Sequence, residues 1–432
     1  MNREILRLSI PIIISNISIP LLGMVDTALM GRMESEYYIG AVALGSLIFN
    51  FIYWGFGFLR MGTTGLTAQA YGRKDQKEIT AILIRGLLVA AGGSLMLILF
   101  QRAVSWAGFA LIPGEEAVKS LGEQYFFIRI YAAPATLALY VFYGWFLGMQ
   151  NAKYPMILTV LVNVINIGFN VFFVTHLGMK SDGVALGTVC AQYLGVTAAV
   201  ILFMIKYRHH LKNYERAILL KLGPIKRFFS VNADIFIRTV CLVFTFAFFT
   251  AASSALDSLI LAANQILLQF ISLMSYGVDG FAFAAESLVG RFTGEGSRNK
   301  LILAVRRLFM WGCGLGIIFA VLYGMFGKHL LYIFTDLDPI IKTASHYVWW
   351  LAVIPLFGAI AYMWDGVYIG ATATKPMRNM MLVSILGVFL PVYVLFVRLI
   401  GNHGLWLALL MFMIARGLSL TLISKKYIFR IN

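Results

Sequence analysis

The stretch Ile10-Pro11-Ile12-Ile13-Ile14-Ser15-Asn16-Ile17-Ser18-Ile19-Pro20-Leu21-Leu22-Gly23-Met24-Val25-Asp26-Thr27-Ala28-Leu29-Met30-Gly31-Arg32 decides how the rest of the chain is read. About 20 apolar residues suffice for a helix to cross a bilayer, and this run is long enough to do so while carrying an aspartate. A carboxylate inside a hydrocarbon-spanning helix is costly and ordinarily faces a bundle interior, on an ion or substrate path. The other reading of Asp26 is a side chain that snorkels to the outer headgroups, with Arg32 close by in sequence.

Apolar runs of this kind fill the chain. Hydrophobic residues make up 60% of the 432 and charged residues 12%, where a soluble domain carries about 25% charged residues. Mean hydropathy is +0.83. The pattern predicts an all-α integral membrane protein with spans at 5–31, 40–71, 79–101, 121–148, 154–176, 183–206, 226–255, 258–291, 301–326, 343–370, 376–399 and 403–424. Strand-type alternation is absent, which argues against a barrel. Arg3 and Arg7 precede the first span, but its length and the lack of a small-residue cleavage site make it a retained helix rather than a signal peptide.

The net charge of +16 follows topology. Twelve spans put both termini and alternate loops on one side, and that side carries Arg3, Arg7, Arg73, Lys74, Lys77, Lys153, the segment from Lys206 to Arg227, Arg298, Lys300, Lys375, Arg378, Lys425 and Lys426. The opposite side has few basic residues, diluted by Glu34, Glu36, Glu115, Glu116, Asp336 and Asp338. Such a bias places both termini in the cytoplasm of a multi-pass inner (plasma) membrane protein. The excess then meets anionic lipid rather than nucleic acid. Cys190, Cys241 and Cys313 fall in apolar spans without metal or redox spacing. His209-His210 reads as a solvated basic stretch of the long loop.

The chain is written twice. Gln69-Ala70-Tyr71-Gly72-Arg73 is answered by Leu288-Val289-Gly290-Arg291, Pro134 with Gly144 and Gly148 by Pro355 with Gly366 and Gly370, and Gly183-Val184-Ala185-Leu186 by Gly404-Leu405-Trp406-Leu407. Six spans per half make the repeats parallel, related by a pseudo-two-fold along the membrane normal. This predicts an N-terminal bundle at 1–206, a cytoplasmic linker at 207–225 and a C-terminal bundle at 226–432. Such repeats characterise transporters with a central site between rocking bundles. No nucleophile elbow, phosphate loop or zinc motif points to an enzyme.

Helical spacing groups the polar residues within the spans. Asn163, Asn166 and Asn170 form one amide stripe whose depth matches Asp26; the alternative role is helix–helix glue. Asn50 and Arg60 share a stripe of the second span. Asp234 and Arg238 stand at i, i+4 and are expected to pair within the helix. Asp279 lies at similar depth and Glu286 two turns on, forming a second network for coupling or for locking the bundle.

Leu8-Ser9-Ile10-Pro11 together with Pro20-Leu21-Leu22-Gly23-Met24-Val25-Asp26-Thr27-Ala28-Leu29-Met30-Gly31-Arg32 resembles the first helix of multidrug and toxic compound extrusion (MATE) transporters. Asn232-Ala233-Asp234-Ile235-Phe236-Ile237-Arg238-Thr239, Leu261-Ala262-Ala263-Asn264-Gln265 and Asp279-Gly280-Phe281-Ala282-Phe283-Ala284-Ala285-Glu286 resemble the DinF branch. The resemblance implies an antiporter expelling amphipathic, often cationic, small molecules by alternating access, with Asp26 as the main coupling carboxylate. It also implies a bend of the first helix at Pro11 or Pro20. The coupling ion implied is the proton, with Na⁺ open; no cofactor or metal is expected, and the working unit is a monomer. Many relatives have Asn-x-x-x-Asp where this chain has Asn166-Ile167-Gly168-Phe169-Asn170, so a two-carboxylate cation site is not expected in this half. A flippase for lipids or lipid-linked glycans, from the same superfamily, is the competing function.

Overall fold

The structure, a computed structural model, describes residues 1–31, 36–112, 115–213, 215–219 and 221–430, without the side chains of residues 26–28, 30, 36, 213, 216 and 217. Among the described residues, twelve helical stretches are long and apolar enough to cross a membrane. They are Asn2–Val25, Tyr37–Gly72, Gln76–Leu99, Glu116–Gly148, Lys153–Thr175, Ser181–Lys212, Leu222–Leu256, Ser258–Gly294, Arg298–Leu331, Trp349–Gly370, Thr374–Ile400 and Asn402–Tyr427. Each expected span is present. The tenth begins later than its apolar pattern predicts, because Asp338–Ser345 forms a separate short helix ahead of a turn.

Three spans are interrupted, and two of the causes are prolines. In the fourth, a 3₁₀ turn at Ile130–Ala132 precedes Pro134, whose ring removes an N–H and crowds the carbonyl four residues earlier. In the eleventh, a π-helical turn at Ile385–Phe389 precedes Pro391, and the wider turn makes room for that ring. The second span breaks at Phe56-Gly57, between helices Glu36–Gly55 and Phe58–Gly72.

The duplication is carried by the backbone. All six described residues with positive φ fall into pairs at a spacing of about 222 residues: Lys74 with Gly296, Gln150 with Thr372, and Gly178 with Gly401. The first two pairs close helix ends by the same bonds. Asp75 N–H donates to Ala70 O as Ser297 N–H does to Phe292 O, and Asn151 N–H to Phe146 O as Ala373 N–H does to Tyr368 O. A left-handed residue just past the helix satisfies its last carbonyls. Lys74, Gln150 and Thr372 accept that conformation without being glycine, so the helix end outweighs the residue's own preference.

The chain packs as two units, residues 14–228 and residues 1–13 with 229–432. The first helix, Asn2–Met30, therefore starts in one unit and continues in the other. In the first unit the fourth span is the most enclosed and packs on the second and third; Trp145 and Phe146 on it are fully buried. In the second unit the tenth span takes the same place, against the eighth, ninth and twelfth. Arg291 of that unit reaches Glu4 at 3.3 Å.

The polar segment that follows the α-helix Ser181–Tyr207 is a folded strap on the first unit. Thr80 Oγ1 donates to His210 O at 3.0 Å, and Lys77 pairs with Glu215. Buried Arg85 donates to Ile218 O at 2.6 Å and Leu219 O at 3.2 Å while pairing with Glu78 at 2.9 Å. Arg227 then donates to Gln69 Oε1 at 2.7 Å. This corrects the reading of His209-His210 as a solvated pair. His209 is exposed, but His210 is 2% exposed and lies edge-on to Trp145. Polarity marks a segment that leaves the membrane, and it does not report that backbone carbonyls there have found buried donors. Arg85→Ala removes charge-assisted bonds worth about 2 kcal/mol. Amide exchange across residues 215–219 should then run roughly thirtyfold faster, read by mass spectrometry in detergent, while exchange in the tenth span stays unchanged.

Candidate functional site

The amide stripe of the fifth span forms two hydrogen-bonded groups, one to the first helix and one to the sixth span. Asn163 Nδ2 donates to Ser18 Oγ at 3.0 Å and to Ser18 O at 3.3 Å on the first helix. Ser18 Oγ in turn donates to Ser15 O at 2.7 Å. Asn170 Nδ2 donates to Asn166 Oδ1 at 2.9 Å, and Asn166 Nδ2 to Thr188 Oγ1 of the sixth span at 3.0 Å. Asn166 and Asn170 are buried. Gly187 is what lets the sixth span come this close, since a Cβ there would collide with Asn170 Oδ1. One stripe thus binds the fifth span to two neighbours, and Thr188 is a partner that residue spacing on the fifth span alone does not reveal.

Asp26 lies on the described first helix, but its side chain is outside the described residues, as are Arg32 and Glu34. Its height follows from the backbone. Asp26 is about 12 Å beyond Ser18 along the first helix, and Asn170 about 10 Å beyond Asn163 along the fifth, at 1.5 Å per residue. Both are odd-numbered spans and run the same way, so they start from a shared contact and reach similar depth. The helical trace passes through Pro11 and Pro20 without a break. Asn50 lies on an exposed face of the second span, while Arg60, further along it, is part-buried and its carbonyl accepts from Thr64 Oγ1 at 2.8 Å.

In the second unit the expected partners change. Arg238 does not pair with Asp234; its guanidinium forms an ion pair with Asp365 of the tenth span. Arg416 of the twelfth span donates to the same Asp365 Oδ2 at 2.6 Å. Asp234, one turn away, is held at Oδ1 by Arg378 at 2.7 Å and at Oδ2 by Thr374 Oγ1 at 2.9 Å. An i, i+4 pair on a helix surface is worth only about 0.2–0.5 kcal/mol, so a buried guanidinium takes an interhelical carboxylate instead. Asp279 and Glu286 lie within electrostatic reach of Arg238, and Glu286 is 1% exposed. Among the described residues, two guanidiniums and three carboxyl groups stand around this centre. Asp365 is missing from the sequence-level candidates although the signal was present: it is a lone acid in an apolar span, as Asp26 is.

Asp365 therefore carries the load of two cations. Asp365→Ala leaves both guanidiniums buried without that partner and should cost about 3–5 kcal/mol. Thermal unfolding of the purified protein in detergent should show a midpoint lowered by roughly 5 °C or more. Asp234→Asn should move it much less, since Arg378 is 26% exposed and water can replace its partner.

Comparison with known proteins agrees with this architecture. The chain is 36% identical to DNA damage-inducible protein F of Escherichia coli (strain K12), covering 99% of this chain and 92% of that one. It is 24% identical to the probable multidrug resistance protein NorM of Thermotoga maritima, covering 96% and 90%. A solved outward-facing structure of a multidrug resistance MATE family transporter of the MOP superfamily superposes with a TM-score of 0.88 at 18% identity, covering 98% and 95% of the two chains, which shows a shared fold. The family model described as MatE matches once in each half, over residues 11–172 and 235–395. A duplicated, twelve-span, all-α membrane protein that this model matches in both halves is a member of the MatE family of transporters.

Proposed function

We propose that this MatE transporter is a secondary active multidrug antiporter. It exports amphipathic, often cationic, organic compounds in exchange for protons by alternating access. It works in the inner (plasma) membrane with both termini in the cytoplasm, where its basic loops meet anionic lipid. The observation that carries the reading is the contact between Asn163 and Ser18, which ties the amide-bearing fifth span to the helix bearing Asp26. The names of the relatives, one a probable multidrug resistance protein, support the substrate class.

The mechanism rests on one carboxylate changing charge beside neutral amides. Ionised, Asp26 only accepts hydrogen bonds and is matched to amide donors such as Asn Nδ2. Protonated, it loses its charge and gains a donor, so the arrangement that suits one form is poorer for the other. A proton can drive export only if it and the substrate favour different states of the transporter. Reciprocity then requires substrate to oppose proton binding by the same factor that the proton opposes substrate. With an amide at position 170, the stripe supplies no second carboxylate for a cation, which favours the proton over Na⁺.

Two measurements in proteoliposomes test this. Gradient-driven efflux of a fluorescent cationic dye should fall at least about tenfold in Asp26→Asn, while dye binding persists; full efflux by that variant would sink the proposal. Substrate addition to the wild type should dissipate an imposed pH gradient equally with and without Na⁺. A strict Na⁺ requirement would transfer the coupling to that ion.

A further inference from the structure

An open cavity of about 250 Å³ lies within the first unit, where the opening turn of helix Leu222–Leu256 meets the end of the second span and the start of the third. Arg73 and Arg227 line it together with Gln69, Asp75, Glu78 and Gly223. Drug-sized ligands usually occupy about 300–1,000 Å³, so the space suits a small polar group better than an export substrate. Both arginines are exposed and reachable from outside.

Each acid at the cavity already has a task. Asp75 caps the third span, its Oδ1 accepting from Glu78 N–H at 3.0 Å. Glu78 is paired with Arg85 at 2.9 Å. Arg227 donates to Gln69 Oε1 at 2.7 Å, a neutral acceptor. The Arg73 guanidinium makes no ion pair with a described carboxylate, and it stands close enough to Arg227 for the two charges to repel. The acidic side chains outside the described ones, Asp26, Glu34 and Glu36, come before the second span or at its start, whereas Arg73 follows its end. Backbone adds to the positive field, since the first turn of a helix carries N–H groups without intrahelical acceptors and the positive end of the dipole. Gly223 in that turn borders the cavity, with open space where a Cβ would stand. Phosphate is an anion that such a helix end holds well.

The repeat provides a control within the chain. At the spacing that relates Lys74 to Gly296, Gln69, Arg73 and Glu78 correspond to Arg291, Glu295 and Lys300. In the second half that helix end is closed by its own ion pairs, Arg291 to Glu295 at 2.8 Å and Lys300 to Glu295 at 3.0 Å. In the first half a cation, Arg73, takes the place of the shared acid. The same frame is therefore left open to an anion from outside.

We infer that this cavity binds a phosphate group, carried by an anionic phospholipid headgroup or free in solution, between Arg73, Arg227 and the first turn of the seventh helix. Tyr71, 37% exposed, and Leu222, 82% exposed, adjoin these residues in sequence and offer acyl chains an apolar surface. That favours the lipid, as does the ordinary affinity of basic residues beside a span for anionic headgroups. The site does not depend on what the protein exports.

Amide exchange of the full-length protein in detergent, read by mass spectrometry across residues 221–228, tests the site. The probes are dioctanoyl phosphatidylglycerol, dioctanoyl glycerol, which lacks the phosphate, and inorganic phosphate. Phosphatidylglycerol at ten times its dissociation constant should slow exchange there about tenfold, and dioctanoyl glycerol should not. Arg73→Gln should raise that dissociation constant about tenfold, and Arg73→Lys should regain part of the loss through its charge. Slowing by inorganic phosphate that is lost in Arg73→Gln supports the site with free phosphate as its ligand; slowing by phosphatidylglycerol alone assigns it to lipid. No slowing by either phosphate compound, equal slowing by dioctanoyl glycerol, or slowing that Arg73→Gln leaves unchanged overturns it. Exchange in the tenth span reports whether each variant is folded. The wild type gives a reading that needs no variant: its affinity for phosphatidylglycerol should fall severalfold between about 0.05 and about 0.5 M salt, and a salt-independent affinity also overturns the site.

Discussion

A polar side chain within a hydrocarbon span has no water to return to, so each one must be bonded, neutralised or used. Backbone groups meet that demand within the helix, which leaves the side chains to settle it between helices. Asn166, Asn170 and Thr188 settle it as a chain of neutral hydrogen bonds. Asp365 settles it by serving two guanidiniums at one oxygen. Asn264 does so by exchanging amide bonds with Asn402 while accepting from Trp406. The packing of the spans follows from these obligations together with van der Waals contact, because lipid tails are as apolar as leucine and supply little drive for helices to associate.

The two halves share a backbone and differ in how they use charge. The paired left-handed residues and the repeated helix-end bonds show that the duplication survives in chain geometry. The interior polar groups have diverged on that common frame. Asp365, preceding Gly366, occupies the place that Tyr143, preceding Gly144, holds in the first half. Hydroxyls and amides dominate the first unit's described interior, with Arg60, Arg85 and Arg129 as cations. The second unit is built on an ionic cluster of arginines and acids. A common frame with different chemistry suits a division of labour, since an amide chain tolerates a change of protonation more cheaply than a cluster of buried ions.

The sites show where residue spacing stops being informative. The Asn163–Asn166–Asn170 stripe is legible because its members share one face of one helix, and the structure finds two of them bonded to each other. The pairing of Asp234 with Arg238 was equally well spaced and did not form. Both side chains reach other helices, and the choice of partner depends on what the tenth, eleventh and twelfth spans present there. His210 fails for a related reason, since its burial depends on Trp145 and Thr80, far away in sequence.

By itself the sequence determined the number of spans, their limits to within about six residues, and the repeat. Each of these follows from a local property: the length of an apolar run or the placement of proline and glycine. Only the tertiary structure decided that Asp365 is shared and that the long loop is a strap. Those outcomes depend on which groups from distant segments arrive within hydrogen-bonding distance, and in a low-dielectric interior that proximity outweighs any preference written along a single helix.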